Sequence, residues 1–196
     1  MPLGANKVTL FGVAGVSTGD VVLLSSQTAS DSATLAVSSG IDSTYSHYIF
    51  KFYNLHPQTD SVIFGFQVNG AGESGFNETI TSTQFRTYKQ EVGSSDGMSY
   101  HATAHQSQDT AYQPLAQQVG NDNDQSCVGT LTLWNPSSTT YFKHFTVEAH
   151  EYYNTDYAVR NFTAGYINNT TAIDEISFKF SSGNIQTGTI KMWGVK

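Results

Sequence analysis

The chain has 196 residues, a formal net charge of −7 and a pI near 5.1, a length that suits one domain with a core of useful size and no need of disulfides. Charged residues make up 13% and aromatic residues another 13%, and the nine Lys and Arg are scattered without a cluster, so nucleic-acid binding has little electrostatic support. One cysteine excludes an internal disulfide and a thiolate metal motif, and no run of about 18 apolar residues is present to form a membrane-spanning helix.

Residues 1–25 hold two short apolar runs, at 8–13 and 21–24. Gly12, Gly15, Gly19 and Asp20 interrupt them, and the basic start and unbroken apolar stretch of a secretory signal are missing. The expected organisation is an N-terminal arm or first strands over 1–25, a candidate attachment segment, followed by a β-sandwich domain over 26–196.

In 27–39, Ala33, Leu35 and Val37 alternate with Thr34, Ala36 and Ser38, which predicts a strand ended by Ser39-Gly40. Next come Tyr48, Phe50 and Phe52 on one face and His47, Ile49, Lys51 and Tyr53 on the other, a pattern of a central strand partly covered on its outer side. His56 and Pro57 open a predicted loop. Val62, Phe64, Phe66 and Val68 are in phase, and Asn69-Gly70 predicts a turn into a Gly-rich loop ending near Phe76. Residues 79–88 read as a strand with two largely polar faces. Residues 93–124 are the least organised, with a strand predicted near 112–119 and a two-turn helix from Pro114 as the competing reading.

From Ser126 onward the alternation is clearest. Leu131 and Leu133, then Phe145, Val147 and Ala149, then Ile176, Phe178 and Phe180, then Ile190 and Met192 each alternate with polar residues. Asn135-Pro136 and Ser182-Gly183-Asn184 punctuate the runs. Short alternating runs with turn chemistry at intervals of about 8–12 residues predict an all-β fold, an antiparallel, jelly-roll-like β-sandwich.

Several residues carry candidate chemistry. Asn121, Asp122, Asn123 and Asp124 present the alternating oxygens of an ion-binding loop, but the Gly and Glu that a helix–loop–helix calcium site needs are missing, and a solvated turn is the plainer reading. His144, Glu148 and His150 share one strand face. Alternate residues on a strand stand about 6.6–6.8 Å apart, so His144 and Glu148 are too far apart for one ligand set without a cross-strand partner. Gly-x-Ser-x-Gly occurs at 15–19 and 93–97, with no helical pattern after either copy, so neither reads as a nucleophile elbow. Cys127 has the parity of Leu131 and reads as a buried structural thiol. Asp174 and Glu175 are adjacent and point to opposite faces, and the Asn-x-Ser/Thr patterns at Asn77, Asn161, Asn168 and Asn169 suit the composition by chance. No catalytic, cofactor-binding or metal residue is assigned, and no cofactor is expected. Trp134, Trp193, Tyr45, Tyr53, Tyr152, Tyr153, Tyr157 and Tyr166 are too many for one core; exposed rings of this kind anchor subunit interfaces or stack on sugars.

The phrases SSGIDSTYSHYIFKFYNLHPQTD, VGNDNDQSCVGTLTLWNPSSTTYFKHF and AGYINNTTAIDEISFKFSSGNIQTGTIKMWGV, with the opening MPLGANKVTLFGVAG, resemble small structural proteins of marine tailed bacteriophages. The resemblance covers most of 39–195 and brings no catalytic residues. It implies a non-enzymatic virion protein exposed on the particle: a homotrimeric cement or decoration protein on the major capsid protein, or a tail fibre or adaptor component that binds host glycans. It implies assembly in the host cytoplasm, where a chain without cysteine pairs is at home.

Overall fold

A computed structural model describes residues 20–196. Thirteen strands follow in chain order: β1 Val21–Thr28, β2 Leu35–Val37, β3 His47–Pro57, β4 Val62–Gly70, β5 Ile80–Gln90, β6 Asp96–Tyr100, β7 Ser107–Asp109, β8 Gln113–Val119, β9 Cys127–Trp134, β10 Lys143–Tyr153, β11 Tyr157–Ile167, β12 Ile173–Phe180 and β13 Ile185–Val195. There is no helix among the described residues, and every strand pairing is antiparallel.

The large layer runs β1-β13-β3-β9-β10-β11-β5, with β6 and β7 on the far edge of β5; the small layer runs β8-β4-β12-β2. A single pair, Tyr153 opposite Val119, joins β10 to β8, so the sandwich nearly closes into a barrel. The layers meet through rings. Phe178 of β12 lies 5.7 Å from Phe50 and 5.3 Å from Phe52 of β3, and Phe66 of β4 lies 5.0 Å from Phe145 of β10, centroid to centroid. The in-phase apolar sets of β3, β4, β9, β10 and β12 are all buried, as their period of two requires when one face meets the core.

The two layers are not equally exposed. On β4 the alternate residues Gly65, Gln67 and Asn69 are buried too. The Gln67 amide donates to the carbonyls of Glu78, Thr110 and Ala111, which pins covering segments over the small layer. The outer face of the large layer remains open. Its inner face turns polar towards β11 and β5, where Glu151, Asn161, Thr163 and Gln84 are buried together; Asn161 Nδ2 donates to Glu151, and Gln84 Nε2 donates to Thr163 Oγ1 at 2.7 Å.

Several local expectations change. Gln113–Val119 is strand β8, so the helical reading falls: Gln113, Leu115, Gln117 and Val119 all point inward. Pro114 is tolerated because it pairs with Gly65 where the β4–β8 register shifts, and a Cβ on Gly65 would come within 2.9 Å of the Gln113 carbonyl oxygen. β3 extends through His56 to Pro57, which pairs with Ile185, where a loop was expected. The turn predicted at Asn69-Gly70 lies one step on, because Gly70 still closes β4 opposite Ile173. Ala33 lies outside β2 and is exposed. β1 crosses the expected boundary at 25/26 and pairs along β13; the apolar run at 8–13 lies outside the described residues.

Candidate functional site

Register across the large layer assembles its outer face. Following direct cross-strand partners, one row reads Leu23, Trp193, Ile49, Thr132, Thr146, Ala164 and Thr83 from β1 to β5. A parallel row reads Lys191, Lys51, Thr130, Glu148, Phe162, Phe85 and Tyr100 from β13 to β6. The first row is therefore apolar at its β1 end and threonine and alanine beyond Ile49, while the second has two lysines at its β13 end, Glu148 in its middle and aromatic rings towards β6.

A groove of about 490 Å³ lies over the middle of the face, floored by Thr130, Thr132, Thr146 and Thr83 and flanked by Phe85 and Phe162. It continues into a cleft of about 440 Å³ through the shared Thr83, Thr146 and Ala164, reaching Trp134, His144 and Tyr166. The walls are stacked rings: Phe85 on Phe162 at 4.8 Å, Trp134 on His47 at 4.7 Å, and Phe142 on Tyr166 at 5.8 Å. Threonine hydroxyls donate and accept, and ring faces take up C–H surfaces, so the groove suits a neutral, hydroxyl-rich ligand or a packed polar interface.

His144, Glu148 and His150 stand exposed in this face at alternate positions of β10. They form no common site. Glu148 is ion-paired with Arg160 across the strand pair; His150 is opposite the same Arg160, whose charge, together with desolvation as the larger cause, pushes its pKa down; His144 meets the edge of Tyr166. No group of three or more His, Cys, Asp or Glu able to hold a metal occurs among the described residues. Asn121 to Asp124 form the exposed β8–β9 turn, where the Asn121 side chain donates to the Gln58 carbonyl and the Gln125 N–H to the Asp122 carbonyl. Cys127 is buried opposite Glu151, and burial pushes its thiol well above the ordinary range, so it is held as a thiol.

The copy of Gly-x-Ser-x-Gly at 93–97 spans the exposed β5–β6 turn and the first two residues of β6, and the copy at 15–19 lies outside the described residues. Glu175 accepts a 2.7 Å hydrogen bond from Asn69. Two carboxylates that do meet are Glu73 and Glu78: their mutual hydrogen bond is the main cause that lowers Glu73, and burial is the main cause that raises Glu78. They tie one loop down, with Glu78 accepting from the Gly70 N–H and from Asn169. Asn161 is fully buried, which closes that acceptor pattern to glycosylation in the folded protein.

The expected surface aromatics divide. Trp134, Trp193, Tyr53 and Tyr166 lie on the outer face, with Lys51 over Trp193 and Lys191 over Tyr53. Tyr45 packs on the core Tyr48, and Tyr153 and Tyr157 meet at the β10–β11 hairpin. Sequence reasoning missed Phe85, Phe162 and the four threonines of the groove floor. The alternation of Thr83, Phe85 and Thr87 signalled a face; which strands lie beside it is set only by the register. Set against known protein families, curated proteins and solved structures, the chain matches none.

Proposed function

We propose that this chain is a non-enzymatic structural protein of a tailed-phage virion, a capsid cement or decoration protein that binds neighbouring coat subunits and acts as a homotrimer. The observation that carries the reading is the distribution of exposed apolar surface. At one end of the outer face Val21 and Leu23 are 59% and 51% exposed; at the other Met98 and Tyr100 are 72% and 59% exposed. Large exposed side chains at both ends of one flat face suit a protein clamped between neighbours. The His and acidic side chains of that face are scattered and form no common site, which also favours binding over catalysis. Residues 1–19 serve in this reading as the attachment segment.

The test uses phage particles. Removing residues 1–19, and separately substituting Leu23→Asp with Met98→Asp, is expected to leave a folded, soluble protein that no longer sediments with the particle. Normal incorporation of both variants overturns the reading.

The threonine-floored groove favours a second reading, a tail fibre, adaptor or receptor-binding module that holds a host-surface glycan. Trp134→Ala and Phe162→Ala should then abolish glycan binding and leave incorporation intact. A glycan array without hits on the intact chain counts decisively against it.

A further inference from the structure

A different part of the molecule carries a second site, and it stands independently of the place on the virion. At the seam where β10 meets β8, a cavity of about 300 Å³ is lined by Arg86 of β5, Gln117 of β8, Tyr153 of β10, and His101 and Thr103 from the segment before β7. It shares Arg86 and Tyr153 with a neighbouring compartment of about 330 Å³ that adds Tyr88 and Tyr157.

Three nitrogens of the first cavity's lining are buried without a hydrogen-bond partner: Arg86 Nε, His101 Nδ1 and Gln117 Nε2. Gln117 itself is only 6% exposed. Arg86 Nε and Gln117 Nε2 are donors, and His101 Nδ1 donates or accepts according to its tautomer; a buried donor left unpaired is costly, so the pair favours a ligand with acceptor oxygens. Arg86 forms no ion pair among the described residues, although the chain carries a net charge of −7. The acid beneath it, Glu151, is committed to the Gln117 N–H and to Asn161, and burial holds it largely protonated at neutral pH. The guanidinium lies over the Tyr88 ring, 5.6 Å from its centroid, and with no carboxylate paired to it among the described residues its charge is left for a ligand.

The lining also fixes the kind of anion. Arg86 is the one Lys or Arg in the lining of the two compartments, which favours a monoanion over a dianion, and desolvation, with the charge of Arg86 second, pushes the His101 pKa down. The planar fork of Arg matches a carboxylate. Hydroxyls of Ser61, Thr103 and Ser181 suit a polyol, and the Tyr88, Tyr153 and Tyr157 rings supply stacking faces. We propose that the Arg86 pocket binds a carboxylated sugar of the hexuronate class, its carboxylate on Arg86 and its ring against the tyrosines.

The full chain is titrated with sodium glucuronate, glucose, acetate and inorganic phosphate, with binding read by calorimetry and by NMR of the Arg86 side chain. Saturable glucuronate binding is expected, with glucose and acetate at least about tenfold weaker, since each keeps only half of the recognition. Arg86→Gln should weaken glucuronate by about tenfold or more with an unchanged melting temperature. Arg86→Lys, which keeps the charge and loses the fork, should fall between and serves as the readout if the Gln variant misfolds. The proposal is overturned by no saturable glucuronate signal, by acetate or phosphate binding as tightly as glucuronate, or by a folded Arg86→Gln or Arg86→Lys chain with undiminished affinity.

Discussion

Glu151 shows how one buried residue ties this fold to pH. It is fully buried on the inner face of β10, opposite Cys127 and Val159. Its oxygens accept from the Gln117 N–H at 3.2 Å and from Asn161 Nδ2 at 2.6 Å. Those bonds favour the carboxylate, but desolvation outweighs them and raises the pKa from 4.5 to about 8. Between those values the folded chain keeps a proton that the unfolded chain has lost. Stability from this group is therefore full below about pH 4.5, falls as pH rises, and levels off above about 8, with a slope of at most about 1.4 kcal/mol per pH unit. Glu151→Gln removes the slope. Asn161 Oδ1, buried without a partner, can accept from the new amide once the Asn161 side chain turns over. Urea midpoints at about pH 5, 7 and 9 should show the variant close to the parent in acid and increasingly more stable towards alkali. Parallel pH profiles for the two proteins would refute the assignment.

At the scale of the strand, the elements most clearly legible in the sequence are those with one apolar face on the core, while β5 was legible despite two largely polar faces. β3, β4, β9, β10, β12 and β13 declared themselves because Tyr48 to Phe52, Val62 to Val68 and their counterparts are buried at every second position. β11 did not, for a physical reason: its inward positions Asn161 and Thr163 are polar and hydrogen-bond to Glu151 and Gln84, so burial left no hydrophobic alternation to read. Lys143 was equally silent. It is fully buried at the start of β10, where its ammonium donates to the Asn169 and Thr171 carbonyls at 2.9 and 2.6 Å and desolvation pushes its pKa down. The groove was illegible at a higher level. Its floor takes one or two residues from each of three strands, β5, β9 and β10, and single-strand alternation says which face a threonine occupies while leaving open what lies beside it. The same holds for the Arg86 pocket, whose lining comes from β5, β8, β10 and the loops between them.

The whole molecule is organised by pairings between distant parts of the chain, and that governs how it folds. β9, β10 and β11 follow one another and pair in order, and the β10–β11 hairpin closes at Tyr153 opposite Tyr157. By contrast β13 must return to pair with β3 and with β1, which places Val195 opposite Val21. Closing loops of that length is entropically unfavourable until the late contacts form, so refolding should take milliseconds to seconds, roughly the range of all-β sandwiches. The local β9-β10-β11 unit is the natural nucleus, and docking of β13 between β1 and β3 comes late. Two buried residues separate these stages. Val147 sits in the middle of β10, between Leu131 and Thr163. Ile190 sits on β13, between Gln27 and Phe52. Truncation of either to Ala removes core contacts and should destabilise by roughly 1–4 kcal/mol, enough for a kinetic comparison. Trp134 on β9 and Trp193 on β13 provide fluorescence from both regions. In stopped-flow chevrons Val147→Ala should chiefly slow folding, and Ile190→Ala should chiefly speed unfolding with little change in the folding limb. The opposite partition would place the long-range closure of β13 in the nucleus and the local hairpins after it.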